Sequence, residues 1–172
     1  TISNSLSSVG AVSMTANLGI TLANSLTSTG AVVLDADLDN NGSGDFTIST
    51  GTLSTGNNAL TVTANDLTLT GILNSGTGST TINVSDGGSL GIGFTSGFGM
   101  NLTTAEAGNI SGTGDINIVN GAITFASGSS FTSSGKLVIG QSGGTITGQG
   151  DLILSGAKGI SLFSGATLTA QA

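Results

Sequence analysis

Residues 1–16, TISNSLSSVGAVSMTA, and residues 21–36, TLANSLTSTGAVVLDA, are two copies of one pattern set 20 positions apart. The shared pattern is T-[IL]-x-N-S-L-x-S-x-G-A-V-x-[ML]-x-A, in which apolar and polar residues alternate between Gly and Asn. Alternation with a period of two predicts short β-strands, and Gly and Asn between them predict tight turns. A repeat of 20 residues suits one coil of a β-solenoid, with three short strands and three turns. We therefore expect Leu6 to stack on Leu26, and Val12 on Val32.

A second pair of similar segments lies near the C-terminus. Residues 110–118, ISGTGDINI, match residues 146–154, ITGQGDLIL, at an offset of 36, and residues 123–132 match residues 160–169 at 37. Because 36 halves to about 18, we interpret this offset as two coils. The sequence thus predicts coils of about 18–22 residues, and about eight or nine coils in all.

The remaining sequence carries the same strand signals, and residues 100–107 are the only candidate for a helical turn. We expect an all-β fold, a right-handed parallel β-helix (β-solenoid), as a single domain over residues 1–172. An Asp-, Asn- and Gly-rich loop is inserted at about residues 35–46. The alternatives are an antiparallel sandwich or an array of small β domains, but neither requires self-similarity at 20 residues.

The composition agrees with a solenoid and excludes much chemistry. The chain has 30 Gly and no Pro, Cys, His, Trp or Tyr, and its net charge is −7. Proline would remove a donor from the ladder between coils. Without His or Cys the chain lacks the usual acid–base switch, thiol nucleophile and soft metal ligands. With Lys136 and Lys158 as its only cationic side chains, we expect no nucleic-acid partner.

A β-helix that cleaves polysaccharides could use a pair of carboxylates as its catalytic groups. Asp115 and Asp151 would approach each other if their coils stack. No Arg, His or Tyr is present to bind an acidic sugar or to act as a base. We therefore expect no catalytic residue and no enzyme, and keep a polysaccharide-active β-helix as a remote alternative.

The sharpest local signal is the acidic segment 37–45, DLDNNGSGD, which matches the first half of a calcium-binding loop. Alternate carboxylate and amide oxygens can surround a hard cation. Ile48 stands where such a loop has a bidentate Glu, so a site here would be incomplete and weak. The alternative is an Asx-rich turn whose acids are solvated. The predicted calcium ligands, the only cofactor site that the sequence suggests, are Asp37, Asp39, Asn41 and Asp45.

The Asn-Ser-Leu, Gly-Ala-Val and Gly-Asp-[Ile/Leu]-x-[Ile/Leu] steps resemble those of filamentous-haemagglutinin-like, two-partner-secreted adhesins and autotransporter passenger fibres of Gram-negative bacteria. The resemblance covers nearly all of the chain and consists of short recurring motifs and their repeat length. It implies a right-handed β-helical shaft, structural or adhesive, at the cell surface or in the extracellular matrix. Host or matrix surfaces are the partners that it implies. The lack of Cys is compatible with secretion of an unfolded chain.

The two ends of the sequence suggest further partners. The chain begins at Thr1, inside a full repeat, and strand pattern continues to Ala170. We expect a processed product or a piece of a longer protein, stacked axially on other copies of itself or on flanking β-helix coils. No run approaches the roughly 18 apolar residues of a membrane-spanning helix, so we expect no membrane insertion.

Overall fold

The alternating runs of the sequence form short parallel strands that stack into a β-solenoid of about seven turns. A computed structural model describes residues 1–171, and the side chains of residues 1–169. The predicted all-β solenoid is confirmed, whereas its right-handed sense stays a prediction. Each coil turns through three strand positions, which we call face 1, face 2 and face 3.

Face 2 is the one sheet that runs through the whole described stack. Its seven strands, in stacking order, are β2 (Val12–Thr15), β5 (Val32–Asp35), β8 (Leu60–Ala64), β11 (Thr80–Val84), β15 (Ile116–Val119), β18 (Leu137–Ile139) and β21 (Ile160–Leu162). At strand spacings of about 4.8 Å, six steps give a shaft about 29 Å long.

Face 1 precedes face 2 in each coil and is divided. Its five-stranded sheet contains β1 (Leu6–Ser8), β4 (Leu26–Ser28), β7 (Thr52–Ser54), β10 (Ile72–Asn74) and β14 (Ile110–Ser111). Further along, β17 (Ser129–Ser133) and β20 (Leu152–Gly156) form a separate pair that also leads into face 2 strands.

Face 3 follows face 2 and is also divided. Its first sheet contains β3 (Ile20–Leu22), β6 (Phe46–Ile48) and β9 (Leu67–Leu69). Its second contains, in stacking order, β13 (Met100–Leu102), β12 (Leu90–Ile92), β16 (Ala122–Phe125), β19 (Thr145–Gln149) and β22 (Thr167–Gln171). A 3₁₀ turn, Ser85–Gly87, and one short helix, α1 (Thr104–Gly108), complete the described elements.

The core is a set of aliphatic columns along the shaft axis. Leu6 stacks on Leu26 and Val12 on Val32, as the 20-residue repeat predicts. Because side chains alternate across a strand, every second residue points inward and meets its equivalent one coil away. The second column of face 2 is Met14, Leu34, Val62, Ile82, Ile118, Ile139 and Leu162. Full burial of one such side chain, as at Leu34, Val62 and Ile139, contributes about 1.5–3 kcal/mol.

The coils vary in length more than the repeats predict. Val32 pairs with Leu60, 28 positions later, and Thr80 with Ile116, 36 positions later, whereas Ile116 pairs with Leu137 after 21. The chain therefore makes about seven coils and not eight or nine, because two coils contain insertions. The added length lies in residues 36–45 and within residues 85–109, a segment that also contains the face 3 strands β12 and β13.

The interpretation of the 36-residue offset is wrong. Ile110 stacks on Leu73 in face 1, while Ile146 stacks on Ile123 in face 3. The two matching segments therefore occupy different faces of the coil. They look alike because a Gly-Asp turn followed by alternating Ile or Leu suits a strand on any face.

A hydroxyl–glycine column marks the corner between face 1 and face 2. The residue two before each face 2 strand is glycine in five of the seven coils, namely Gly10, Gly30, Gly78, Gly114 and Gly135. A Cβ placed on Gly114 would lie 1.8 Å from the carbonyl oxygen of Gly78. Buried hydroxyls satisfy this crowded backbone: Ser28 Oγ donates to Gly10 O at 2.6 Å, and Ser75 Oγ donates to Gly78 O at 2.7 Å.

The insertion at residues 85–109 interrupts face 3 and lets side chains replace the missing ladder. Between β9 and β13, Asn101 N donates to Asp66 Oδ1 at 2.8 Å. Leu69 N donates to Glu106 Oε1 at 3.1 Å, and Asn109 Nδ2 donates to Leu69 O at 2.7 Å. The stack therefore stays connected here by faces 1 and 2 and by these side chains.

The glycine column predicts a position-specific cost of adding one methyl group. Gly114→Ala should lower the free energy of unfolding by about 3 kcal/mol, because the new Cβ cannot fit against Gly78 without moving backbone. Gly121→Ala is the matched control, since a Cβ there has nothing within 4 Å. Urea unfolding followed by circular dichroism measures both, and equal midpoints for the two variants would contradict the crowding.

Candidate functional site

The predicted calcium loop lies between β5 and β6, and its first acid is completely buried. Asp37 has no exposed surface. Its Oδ1 accepts a hydrogen bond from Asn41 N at 3.2 Å, and its Oδ2 accepts from Gly42 N at 3.1 Å and from Ser85 Oγ at 2.6 Å. Ser85 belongs to the 3₁₀ turn after β11. The carboxylate thus closes its own loop and ties it to the second insertion.

The other three predicted ligands have protein partners as well. Asp39 Oδ2 accepts from Asn41 Nδ2 at 2.9 Å, and Asn41 Oδ1 accepts from the Ser43 hydroxyl. Asp45 Oδ1 accepts from Asn65 Nδ2 at 3.1 Å. Across residues 1–171, no three acidic side chains converge to hold a metal ion. Calcium binding by this loop stays a prediction from the sequence.

Hydrogen bonding sets the acidity of Asp37. The Ser85 hydroxyl, and then the N–H groups of Gly42 and Asn41, hold the pKa of Asp37 below its ordinary value, although burial acts in the opposite direction. Asp66 differs, because burial raises the pKa of its carboxyl against the N–H groups of Asn101 and Leu67. Hydrogen bonding therefore favours the charged form of Asp37, whereas burial favours the neutral form of Asp66.

Sequence reasoning missed the residues that hold the two insertions in place. Ser85 and Asn109 carry no local signal for their contacts with residues 48 and 40 positions away. One signal was available: Thr103-x-x-Glu106 is a capping box, and in the structure Thr103 Oγ1 accepts from Glu106 N while Glu106 Oε2 accepts from Thr103 N. It would have placed α1 at the end of the segment predicted as a possible helical turn.

The carboxylates considered for catalysis occupy different places in the coil. Asp115 precedes β15 on face 2, and its Oδ1 accepts from Lys136 N at 3.0 Å. Asp151 precedes β20, whose partner is β17. The two acids therefore do not stack on one another, because the segments that contain them lie on different faces.

An open cavity lies on the inner side of the last coil. Its volume is about 540 Å³, and its lining is mostly aliphatic. Asp151 is the one charged residue in this lining, so the cavity presents apolar surface and not a set of reactive groups. The aliphatic residues that line the cavity are Leu152, Leu154, Ile160, Leu162 and Leu168.

Comparison of the chain with known protein families, with curated proteins and with solved structures gives no match. The structure confirms the β-solenoid architecture that the resemblance implies. The adhesin family rests on the repeats of the sequence alone. No helix within residues 1–171 is long and apolar enough to cross a membrane.

The buried carboxylate predicts a pH-dependent loss of stability. Asp37→Asn should lower the free energy of unfolding by about 2 kcal/mol at pH 7, because an amide accepts through one oxygen only. Its NH2 group would face either the Asn41 N–H or the Gly42 N–H and the Ser85 hydroxyl, and would leave those donors without an acceptor. Asp39→Asn removes the same charge from the exposed part of the loop and should have little effect.

The sign of the pH effect follows from the lowered pKa of Asp37. Its stabilisation is complete above the unfolded pKa of about 3.9 and is lost as the pH falls through the lower folded value. The gap in urea midpoint between wild type and Asp37→Asn should therefore narrow at strongly acidic pH. A gap that stays constant would show that the charge of Asp37 does not provide the stabilisation.

The calcium prediction has its own measurement. Isothermal titration of the chain with calcium should show weak binding if Asp37, Asp39, Asn41 and Asp45 act as ligands, because the bidentate twelfth ligand is missing. Asp39→Asn and Asp45→Asn would then abolish the heat, while Asp115→Asn would not. If millimolar calcium gives no heat of binding, the loop does not bind calcium and its acidic residues have only their structural role as hydrogen-bond acceptors.

Proposed function

We propose that this chain is a structural segment of a secreted bacterial fibre, a shaft that projects or spaces other parts at the cell surface or in the extracellular matrix. The observation that carries the proposal is the uninterrupted face 2 ladder of seven parallel strands. A ladder of this kind gives a stiff rod whose length depends only on the number of coils. The resemblance to two-partner-secreted and autotransporter fibres supports the extracellular location.

The use of the polar side chains supports a structural role without catalysis. Asp37, Asp66, Glu106 and Asp115 each accept hydrogen bonds from backbone N–H groups. A catalytic acid or base needs to reach a substrate atom in a cleft. These carboxylates instead hold turns and insertions, so their positions are explained by the fold.

The surface suits a shaft exposed to variable salt. Charged residues make up 6% of the chain, and the outward positions of the strands are mostly Thr, Ser and Asn. Because little of the stability comes from surface ion pairs, it should change little with ionic strength. Adhesion to host or matrix surfaces would be a function of the whole fibre to which this segment belongs.

Surface labelling tests the proposed location. Antibodies raised against the folded chain should label intact source cells, or the material around them, before any permeabilisation. An antibody against a cytoplasmic protein of the same cells serves as the control and should label only after permeabilisation. Labelling of both proteins only after permeabilisation would contradict a secreted fibre.

A polysaccharide-degradation screen tests the absence of catalysis. Neutral and acidic polysaccharides incubated with the chain should show no new reducing ends and no unsaturated products. Release of either product, abolished by Asp151→Asn or Asp115→Asn, would overturn the structural assignment in favour of an enzyme.

A further inference from the structure

The last described coil exposes the aliphatic residues that the interior coils bury. In β21, Ile160 and Leu162 continue the inward columns of Leu137 and Ile139. Leu137 and Ile139 are fully buried, whereas Ile160 is 46% and Leu162 is 37% exposed. Together with Leu168 they line the cavity of about 540 Å³. The shape of this surface is that of a coil–coil interface with one coil missing.

The first coil presents the complementary surface. Val12 and Met14 of β2 occupy the same two inward columns of face 2 and pack against β5 on one side only. Leu6 of β1 is 38% exposed for the same reason. Because all the strands are parallel, one edge of face 2 is the translational complement of the other.

The backbone ladder of face 2 fixes the register of such a contact. In each of the six described interfaces, the first inward residue of a strand donates its N–H to the carbonyl just before its partner strand, at 2.8–3.0 Å. Val12 N donates to Ala31 O at the start of the stack, and Leu137 N donates to Gly159 O at its end. The next bond in this series would join Ile160 N to the carbonyl oxygen of Ala11.

We propose that a second copy of this chain covers the last coil, with its β2 on β21 in the register that Ile160 N and Ala11 O define. Val12 and Met14 of the second copy would then cover Ile160 and Leu162, as Val32 and Leu34 cover Val12 and Met14 within one chain. Repetition of this contact gives a head-to-tail filament. The inference rests on the proposed shaft function and names its partner.

Charge allows the axial contact. Residues 1–34 contain no Asp, Glu, Lys or Arg, so the first coil carries no charged side chain. The last coil has Asp151 and Lys158, whose charges cancel. Eight of the nine acids lie between residues 35 and 115, so repulsion acts between rods lying side by side more than between their ends.

Two variants of one strand test the contact. Ile160→Lys places a charge in the groove, whereas Ser161→Lys places the same charge on the outward side of β21. In sedimentation velocity over a wide concentration range, wild type and Ser161→Lys should associate, and Ile160→Lys should remain a 16.4 kDa monomer. Leu162→Lys repeats the test at the second inward position, and circular dichroism verifies that each variant is folded.

A mixing experiment tests the head-to-tail direction. Val12→Lys blocks the first coil and leaves the last coil free, while Ile160→Lys does the reverse. Each variant alone should be monomeric, and their mixture should give only one-to-one dimers. If the wild type is monomeric at all concentrations, a second copy of the chain does not cover the last coil. Flanking coils of a longer chain would then be the occupant of this surface. The surface-labelling test is unaffected by this outcome. Association of Ile160→Lys alone would overturn the register.

Discussion

Four of the seven coils pass the corner between face 1 and face 2 with a glycine whose backbone almost touches the preceding coil. A Cβ on Gly30 would lie 2.5 Å from Ala11 N, and one on Gly135 would lie 2.1 Å from Gly114 O. Only glycine fits such an approach. The same approach removes water from the corner carbonyls, and buried hydroxyls such as Ser28 and Ser75 replace it. The glycines and the buried hydroxyls of this corner follow from this one packing requirement.

The continuity of face 2 explains how the fold accepts two insertions. Residues 36–45 follow β5 and residues 85–109 follow β11, so both added lengths lie between a face 2 strand and the face 1 strand of the next coil. The face 2 ladder therefore never breaks, while faces 1 and 3 divide into separate sheets. Length added at the end of a ladder costs little, because loop-closure entropy grows slowly with loop length. The shaft can lengthen a coil without losing its axis.

The sequence predicts this fold where neighbouring coils are similar, and fails where they are not. Leu6 and Leu26 belong to a repeat without insertions, so their offset equals the true coil and the stacking was predictable. Ile110 and Ile146 look equivalent but lie on different faces. Every face uses the same alternation, and an insertion changes the offset without changing the pattern. The link from Asp37 to Ser85 was unpredictable for a related reason, since two insertions meet only after the coils between them have stacked.

Three acidic residues accept backbone N–H groups at the places where the backbone ladder fails. Asp66 and Glu106 accept the N–H groups of Asn101 and Leu69 at the break in face 3. Asp37 accepts those of Asn41 and Gly42 inside the first insertion. A carboxylate is a stronger acceptor than a carbonyl, and hydrogen bonds to it contribute about 1.5–3 kcal/mol. In a chain with so few charges, these carboxylates act as replacement carbonyls for donors that have lost a strand partner. Asp115 does the same in a coil without an insertion, where it accepts the N–H group of Lys136 just before β18.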